Sequence, residues 1–299
     1  MHCNSSAQGP EGSGYLQRIA SGLSVFHLER LHPGLGNKAY KLAPSLLDAR
    51  SKKAKTLVSV GGAWSNHLYA LAILGSKQGF KTAAFVREVE AAHLSAMLKD
   101  VQSWGMQLHF LSRSDYRRRD DPAFINQLMQ RYPAGYFIPE GGSNALGVSG
   151  AEGILQDLVL AEAQYDHLVL PVGTGGTMAG ILRGLKRPCH VVGVSALKGV
   201  KQQHQAIQTW AASRLSPGVT YELVPEVQFG GYASCPPILI ARMRNWEAKF
   251  GFDLEPVYGA KALSVALSMK ARGALPGETL LLHTGGLQGR RGFPELSQS

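Results

Sequence analysis

Cysteine is scarce in this 299-residue chain: Cys3, Cys189 and Cys235 are odd in number and far apart. No C-x-x-C pair and no Cys/His ligand spacing accompanies them, so neither a disulfide framework nor a zinc site is expected. They read as ordinary thiols in a reducing compartment. Long apolar runs are lacking too: none approaches the roughly 20 residues of a membrane helix, so no membrane association is expected. The opening MHCNSSAQGPEGSG has no apolar core segment, and no secretory signal is read there. Residues 1–14 are expected to form a loose tail, and a cytoplasmic protein follows by default. Charged residues are 17% against 44% hydrophobic, a composition that fills the core of one large domain or of two lobes around a cleft.

The charge that is present has one sign in excess, a net +10. Lysine and arginine are nevertheless spread along the chain, with small clusters only at Ser51-Lys52-Lys53-Ala54-Lys55 and Arg117-Arg118-Arg119. Neither is interleaved with aromatics as a base-stacking platform would be, so no nucleic-acid partner is expected. An anionic substrate or cofactor accounts for the balance equally well.

Short β-branched or apolar runs alternate with longer helical stretches, which predicts an α/β fold with mostly parallel sheets. Strands are expected at Thr56–Val60, Thr82–Val86, Gln107–Leu111, Leu168–Val172, Val191–Val194 and Thr279–Leu282. Helices are expected at Ser65–Gln78, Glu90–Trp104, Asp121–Arg131, Val148–Gln164, Thr177–Leu185 and Lys261–Arg272. Three Gly-rich turns, Gly61-Gly62, Gly173 to Gly176 and Gly285-Gly286, each follow an apolar strand, where ligands bind in such folds. Their spacing divides the chain near residues 45 and 145. The expected architecture is two lobes, each an open, mostly parallel sheet flanked by helices. A small lobe of residues 46–145 is inserted in a larger one made of 15–45 and 146–299.

Four segments carry candidate chemistry. In Val172-Gly173-Thr174-Gly175-Gly176-Thr177 a buried strand runs through a Gly-rich turn into a helix. Backbone amides there, backed by a helix N-terminus, can cradle an anion, with Thr174 and Thr177 adding hydroxyls. No G-K-[ST] follows and G-x-G-x-x-G is not met, so the phosphate would belong to a small cofactor or substrate; a purely structural turn is the other reading. In Gly61-Gly62-Ala63-Trp64-Ser65-Asn66-His67, Ser65 or Asn66 either caps the next helix or binds a carboxylate at its positive end. His67 is a possible substrate contact. Lys38, in Gly36-Asn37-Lys38, stands between a glycine turn and a helical pattern; a desolvated lysine there would be a nucleophile for carbonyls. Tyr258 precedes a helix, as core packing or as a proton-transfer group.

Taken in order between Leu31 and Gly286, these segments resemble the D-cysteine desulfhydrase and 1-aminocyclopropane-1-carboxylate deaminase family. These are pyridoxal-phosphate enzymes related to the tryptophan synthase β subunit. The motifs are G-N-K-x-x-K-L from Gly36, V-S-x-G-G-x-x-S-N-H from Val58, P-E-G-G-S-N-A-L-G from Pro139, the Gly173 loop, P-V-Y-x-x-K from Pro256 and H-T-G-G from His283. The resemblance implies a homodimer with pyridoxal 5'-phosphate in the cleft between the lobes. Lys38 would hold the cofactor as a Schiff base, and Lys41 would lend a supporting positive charge. Asn66 would bond the 3′ oxygen, and Ser65 would meet the substrate carboxylate or assist proton transfer. Gly173, Thr174, Gly175, Gly176 and Thr177 would cradle the phosphate, and Thr284 would lie near the pyridine nitrogen. Tyr258 and Tyr232 match the family's two active-site tyrosines. The implied activity is β-elimination on D-cysteine or a related β-substituted amino acid, giving pyruvate, ammonia and sulfide. The alternative is the deaminase, which releases 2-oxobutanoate. Where the deaminases read V-Y-E-G and H-L-G-G, this chain has Gly259 and Thr284, which argues for elimination; a threonine is common at the Gly259 position in the desulfhydrases.

Overall fold

The computed structural model describes residues 14–87, 94–196, 200–225, 228–231 and 233–296. The expected tail lies outside the described residues except for Gly14. Two sheets organise the chain. The larger has six strands in the order β1-β2-β10-β7-β8-β9: β1 Leu16–Ala20, β2 Leu23–His27, β7 His167–Val172, β8 Cys189–Ser195, β9 Val219–Pro225 and β10 Thr279–His283. All its pairings are parallel except β1 with β2. The smaller has the order β5-β4-β3-β6 and is parallel throughout, from β3 Thr56–Gly61, β4 Lys81–Arg87, β5 Met106–Leu111 and β6 Gly135–Ile138.

Both sheets are covered on two faces, as parallel sheets must be. Along β7, Leu168, Leu170 and Val172 join one apolar core while Val169 joins another; Leu280 and Leu282 of β10 part from Leu281 in the same way. In β3, Leu57 faces one core and Val58 and Val60 the other. This is the strand period of two carried into two layers of helix. The helices of the smaller sheet are α3 Asn66–Lys77, α4 Ala96–Ser103, α5 Arg113–Arg117 and α6 Pro122–Met129. Elsewhere lie α1 Leu28–Leu31, α2 Lys38–Ser51, α7 Ala145–Glu152, α8 Ile154–Leu160, α9 Gly176–Gly184, α10 Lys201–Ala211, α11 Pro237–Phe250 and α12 Gly259–Ala271. No helix among the described residues is long and apolar enough to cross a membrane.

All six expected strands are present; β1, β2, β6 and β9 are additional. The expected helix Glu90–Trp104 begins instead at Ala96, where Ser95 accepts the Leu98 N–H as an N-cap; residues 90–93 lie outside the described residues. The expected helix Val148–Gln164 is two helices meeting at Gly153 and ending at Leu160, since glycine is a poor helix interior.

Candidate active site

A cleft of about 930 Å³ opens where β3 and β7 end, and residues of both sheets line it. The Lys38 segment is shaped by one close approach. Gly36 has φ +49°, and a β-carbon there would sit 2.0 Å from the Thr284 carbonyl oxygen. Its bare backbone lets the turn press onto the end of β10, where Asn37 N–H donates to that carbonyl at 3.1 Å. Asn37 Nδ2 donates to Thr177 Oγ1 at 2.9 Å, and Lys38 Nζ donates to Asn37 Oδ1 at 3.1 Å. Lys38 opens α2 and lines the cleft. Burial lowers its pKa from 10.5 to about 8, so an appreciable share of the amine is neutral and nucleophilic in mild alkali.

One turn along, Lys41 is 1% exposed and donates from Nζ to Ser143 Oγ at 2.6 Å. Ser143 Oγ in turn bonds Thr174 Oγ1. Burial first, and the Lys38 charge second, hold the Lys41 ammonium well below the usual lysine range. A β-carbon on Gly176 would stand 2.8 Å from Lys41 Nζ and 2.9 Å from Ser143 Oγ. The missing side chain therefore leaves these donors open at the N-terminus of α9. A buried ammonium, two hydroxyls and the first amides of a helix are a donor set suited to a phosphate monoester. The residues thus fit pyridoxal phosphate, with Lys38 in the same cleft. Gly173, Thr174, Gly175, Gly176 and Thr177 all line it. Ser143, 102 positions from Lys41, was not singled out, although it stands in the P-E-G-G-S-N motif.

Ser65 is the N-cap of α3: its Oγ accepts the Leu68 N–H at 3.3 Å. Capping uses a lone pair and leaves the hydroxyl proton for a ligand, so the observed cap does not preclude a ligand contact. Asn66 lines the cleft and accepts from Gln288 Nε2 at 2.6 Å. A β-carbon on Gly286 would meet its Nδ2 at 2.4 Å, so that glycine makes room for the Asn66 amide. His67 is 2% exposed in the cleft floor. Ser59 Oγ donates to the Ile138 carbonyl and lies 2.8 Å from His67 Nε2, which assigns the proton of the ring to Nε2. Burial, then the charges of Lys38 and Lys41, keep His67 far below its usual pKa and neutral.

Tyr258 packs its ring against Gly173, where a β-carbon would touch it at 3.4 Å. Its position is set by Glu255, a 2%-exposed carboxylate not anticipated from the sequence. Glu255 accepts the amides of Val257 at 2.9 Å, Tyr258 at 2.6 Å and Gly259, capping the entry to α12. Burial raises its pKa although those amides oppose the rise. Thr284, 9% exposed, lines the cleft. Behind it, Glu29 bridges His27 Nδ1 at 2.8 Å and His283 Nδ1 at 2.7 Å. Burial alone would raise the Glu29 pKa; the two histidines carry it down to about 2. These three residues have a metal-like composition, but the carboxylate lies at hydrogen-bond distance between two imidazoles. Tyr232 lies outside the described residues.

The four-stranded side of the cleft carries residues to which no site role was assigned: Arg87, Arg113, Tyr116, Arg117, Arg119 and Glu140. Two of the three members of the Arg117-Arg118-Arg119 run, Arg117 and Arg119, thus line the cleft.

Residues 15–285 match the family described as pyridoxal-phosphate dependent enzyme. A Thermotoga maritima protein that carries 1-aminocyclopropane-1-carboxylate deaminase as a provisional name is 30% identical, over 86% of this chain and 85% of its own. The D-cysteine desulfhydrase of Klebsiella pneumoniae is 28% identical, over 84% and 82% respectively. Among solved structures, a homologue of 1-aminocyclopropane-1-carboxylate deaminase superposes with TM-score 0.79 at 25% identity, covering 92% of this chain and 88% of that one.

Proposed function

The chain belongs to the pyridoxal-phosphate dependent enzymes, and from that premise we propose that it is a lyase acting on D-cysteine or a related β-substituted amino acid, giving pyruvate, ammonia and sulfide. One observation carries the choice: among the described residues, none that lines the cleft on its six-stranded side is a carboxylate. Among the described residues, the acidic side chains lining the cleft are Asp120 and Glu140, both on the four-stranded side. A hydroxyl from Thr284 at the ring nitrogen, with no glutamate from position 259, suits expulsion of a leaving group better than opening of a cyclopropane ring.

Lys41, Ser143, Thr174 and the amides opening α9 would hold the phosphate, and Asn66 the 3′ oxygen. Ser65, at the positive end of α3, would donate to the substrate carboxylate. The cofactor, when bound, supplies an electron sink for charge left at Cα. Lys38 would hold it covalently and, once freed by the incoming amine, would take the Cα proton at Nζ. The sulfur would leave with the electron pair of the Cβ–S bond; hydrolysis of the released enamine gives pyruvate and ammonia with no oxidant. Tyr258, against the phosphate loop, and Tyr232 are the remaining proposed active-site groups. The reading extends to lobes of residues 46–145 and of 15–45 with 146–299, a homodimer and a cytoplasmic setting.

The test is direct. Protein loaded with pyridoxal phosphate is expected to absorb near the visible edge and to release pyruvate from D-cysteine. Lys38→Ala is expected to lose the band and about 10³-fold or more of the rate. Release of 2-oxobutanoate from 1-aminocyclopropane-1-carboxylate, without pyruvate from D-cysteine, would assign the deaminase instead. Formation of neither product overturns the proposal.

A further inference from the structure

We propose that the four-stranded wall of the cleft is a subsite for an oxyanion on the substrate's β-substituent, so that the preferred substrate is an amino acid whose leaving group bears a carboxylate, sulfonate or phosphate. This deepens, and rests on, the lyase reading above.

Sheet register assembles the wall. Arg87, the last residue of β4, pairs with Leu111 of β5, and α5 starts two residues later at Arg113. Arg113 and Arg117 are four apart and share a helix face. Tyr116, 7% exposed, is the plate between the strands and the cleft. The Arg87 guanidinium carbon lies 5.9 Å from its ring centroid and that of Arg119 lies 5.0 Å from it. Glu140 fixes this arrangement by accepting the Tyr116 hydroxyl and, at 2.6 Å, Arg119 Nε. Arg119 is thereby neutralised, but Arg87 and Arg117 form no ion pair among the described residues. Both are solvent-exposed and both line the cleft. The facing wall, from α10, offers Gln202, Gln203 and Trp210, which carry no charge.

Exposed arginines usually need no ligand, but these converge on the inside of a catalytic cleft. Guanidinium forks match carboxylate, sulfonate and phosphate oxygens two at a time. Space points the same way. A cavity of about 930 Å³ is at the upper end of the ~300–1,000 Å³ that holds a drug-sized ligand, leaving room beyond a small cofactor and a three-carbon amino acid. With its α-carboxylate assigned to Ser65, D-cysteine has no second oxyanion to offer the arginines.

The test compares an isosteric pair, S-carboxymethyl-D-cysteine and the neutral S-carbamoylmethyl-D-cysteine, on cofactor-loaded protein. Pyruvate formation is expected to favour the acidic substrate in kcat/KM by about tenfold or more, the size of a charge-assisted hydrogen bond. Added salt is expected to erode that preference, and Arg87→Gln with Arg117→Gln to bring the ratio toward one. Binding of the same pair, read from the shift of the cofactor absorbance, should show the same Arg-dependent preference. Equal handling of the two compounds, or a preference unaffected by both substitutions, overturns the subsite. If neither compound nor D-cysteine yields pyruvate but the acidic one binds selectively, the lyase reading falls and the subsite stands. If neither compound is selectively bound, the subsite falls whatever the chemistry.

Discussion

On the six-stranded side of the cleft the cations are enclosed. Lys41 is 1% exposed, bonded to Ser143 and depressed in pKa by burial and by Lys38. On the four-stranded side, Arg87 and Arg117 stand in solvent with no carboxylate partner among the described residues. A buried ammonium one helical turn from a second lysine opposes folding unless an anion offsets its charge near the α9 N-terminus. Exposed arginines cost the fold almost nothing and can take any oxyanion of suitable reach. Under the proposed reading the difference is a division of labour: buried charge for a group that is always the same, exposed charge for one that varies with substrate.

The contrast can be broken most severely at Lys41. Replacing a buried cation that lacks its counter-ion by an apolar chain of similar length removes a desolvation cost and, for the cofactor, a charge-assisted contact. Lys41→Met is therefore expected to leave the cofactor-free protein as stable or more stable in urea. The same change is expected to weaken pyridoxal phosphate binding by about 2–3 kcal/mol, read by absorbance titration. A large loss of stability without loss of affinity would make Lys41 a structural rather than a phosphate-binding residue.

A smaller effect lies in the pH dependence. His67 and His27 are both held below 6.5, in each case chiefly by burial. The unfolded chain therefore takes up protons where the fold refuses them; the stability is complete above about pH 6.5 and is lost as pH falls. Glu29 works in a lower window: with a folded pKa of about 2 against 4.5, its contribution persists until pH falls below about 4.5. Denaturant midpoints are expected to drop between about pH 7.5 and 5.5, and His67→Gln to flatten that slope. The smallest expected change sharpens the other half of the comparison. Arg117→Gln should shift stability by less than about 0.5 kcal/mol and leave the pH slope intact.

Much of this was legible along the chain. Strands before the three Gly-rich turns, and the helices after two of them, follow from period-two apolar patterning and turn chemistry, which are local. The motif around Lys38 marked it although a lone lysine is usually solvated. The helix ending at Gly153 shows the limit of such patterning: apolar spacing continues across the glycine while the helix does not. Nothing local marks Glu255 as the cap of α12 or His67 as a neutral, single-tautomer group, because their states depend on what surrounds them.

By itself the sequence pointed through short-range period and spacing to the α/β class and two mostly parallel sheets; its motifs, through their resemblance to a known family, pointed to the loop proposed for the phosphate and the lysine proposed for the cofactor. Tertiary structure alone decided that Lys41 meets Ser143, that Gly36 must yield to the Thr284 carbonyl, and that Arg87 and Arg117 face one cavity. Those facts join residues tens to hundreds of positions apart, and only packing brings such pairs within a few ångströms. Lys38 is a solvated lysine on the string and a pKa-shifted amine in the fold because desolvation belongs to a place, not to a residue.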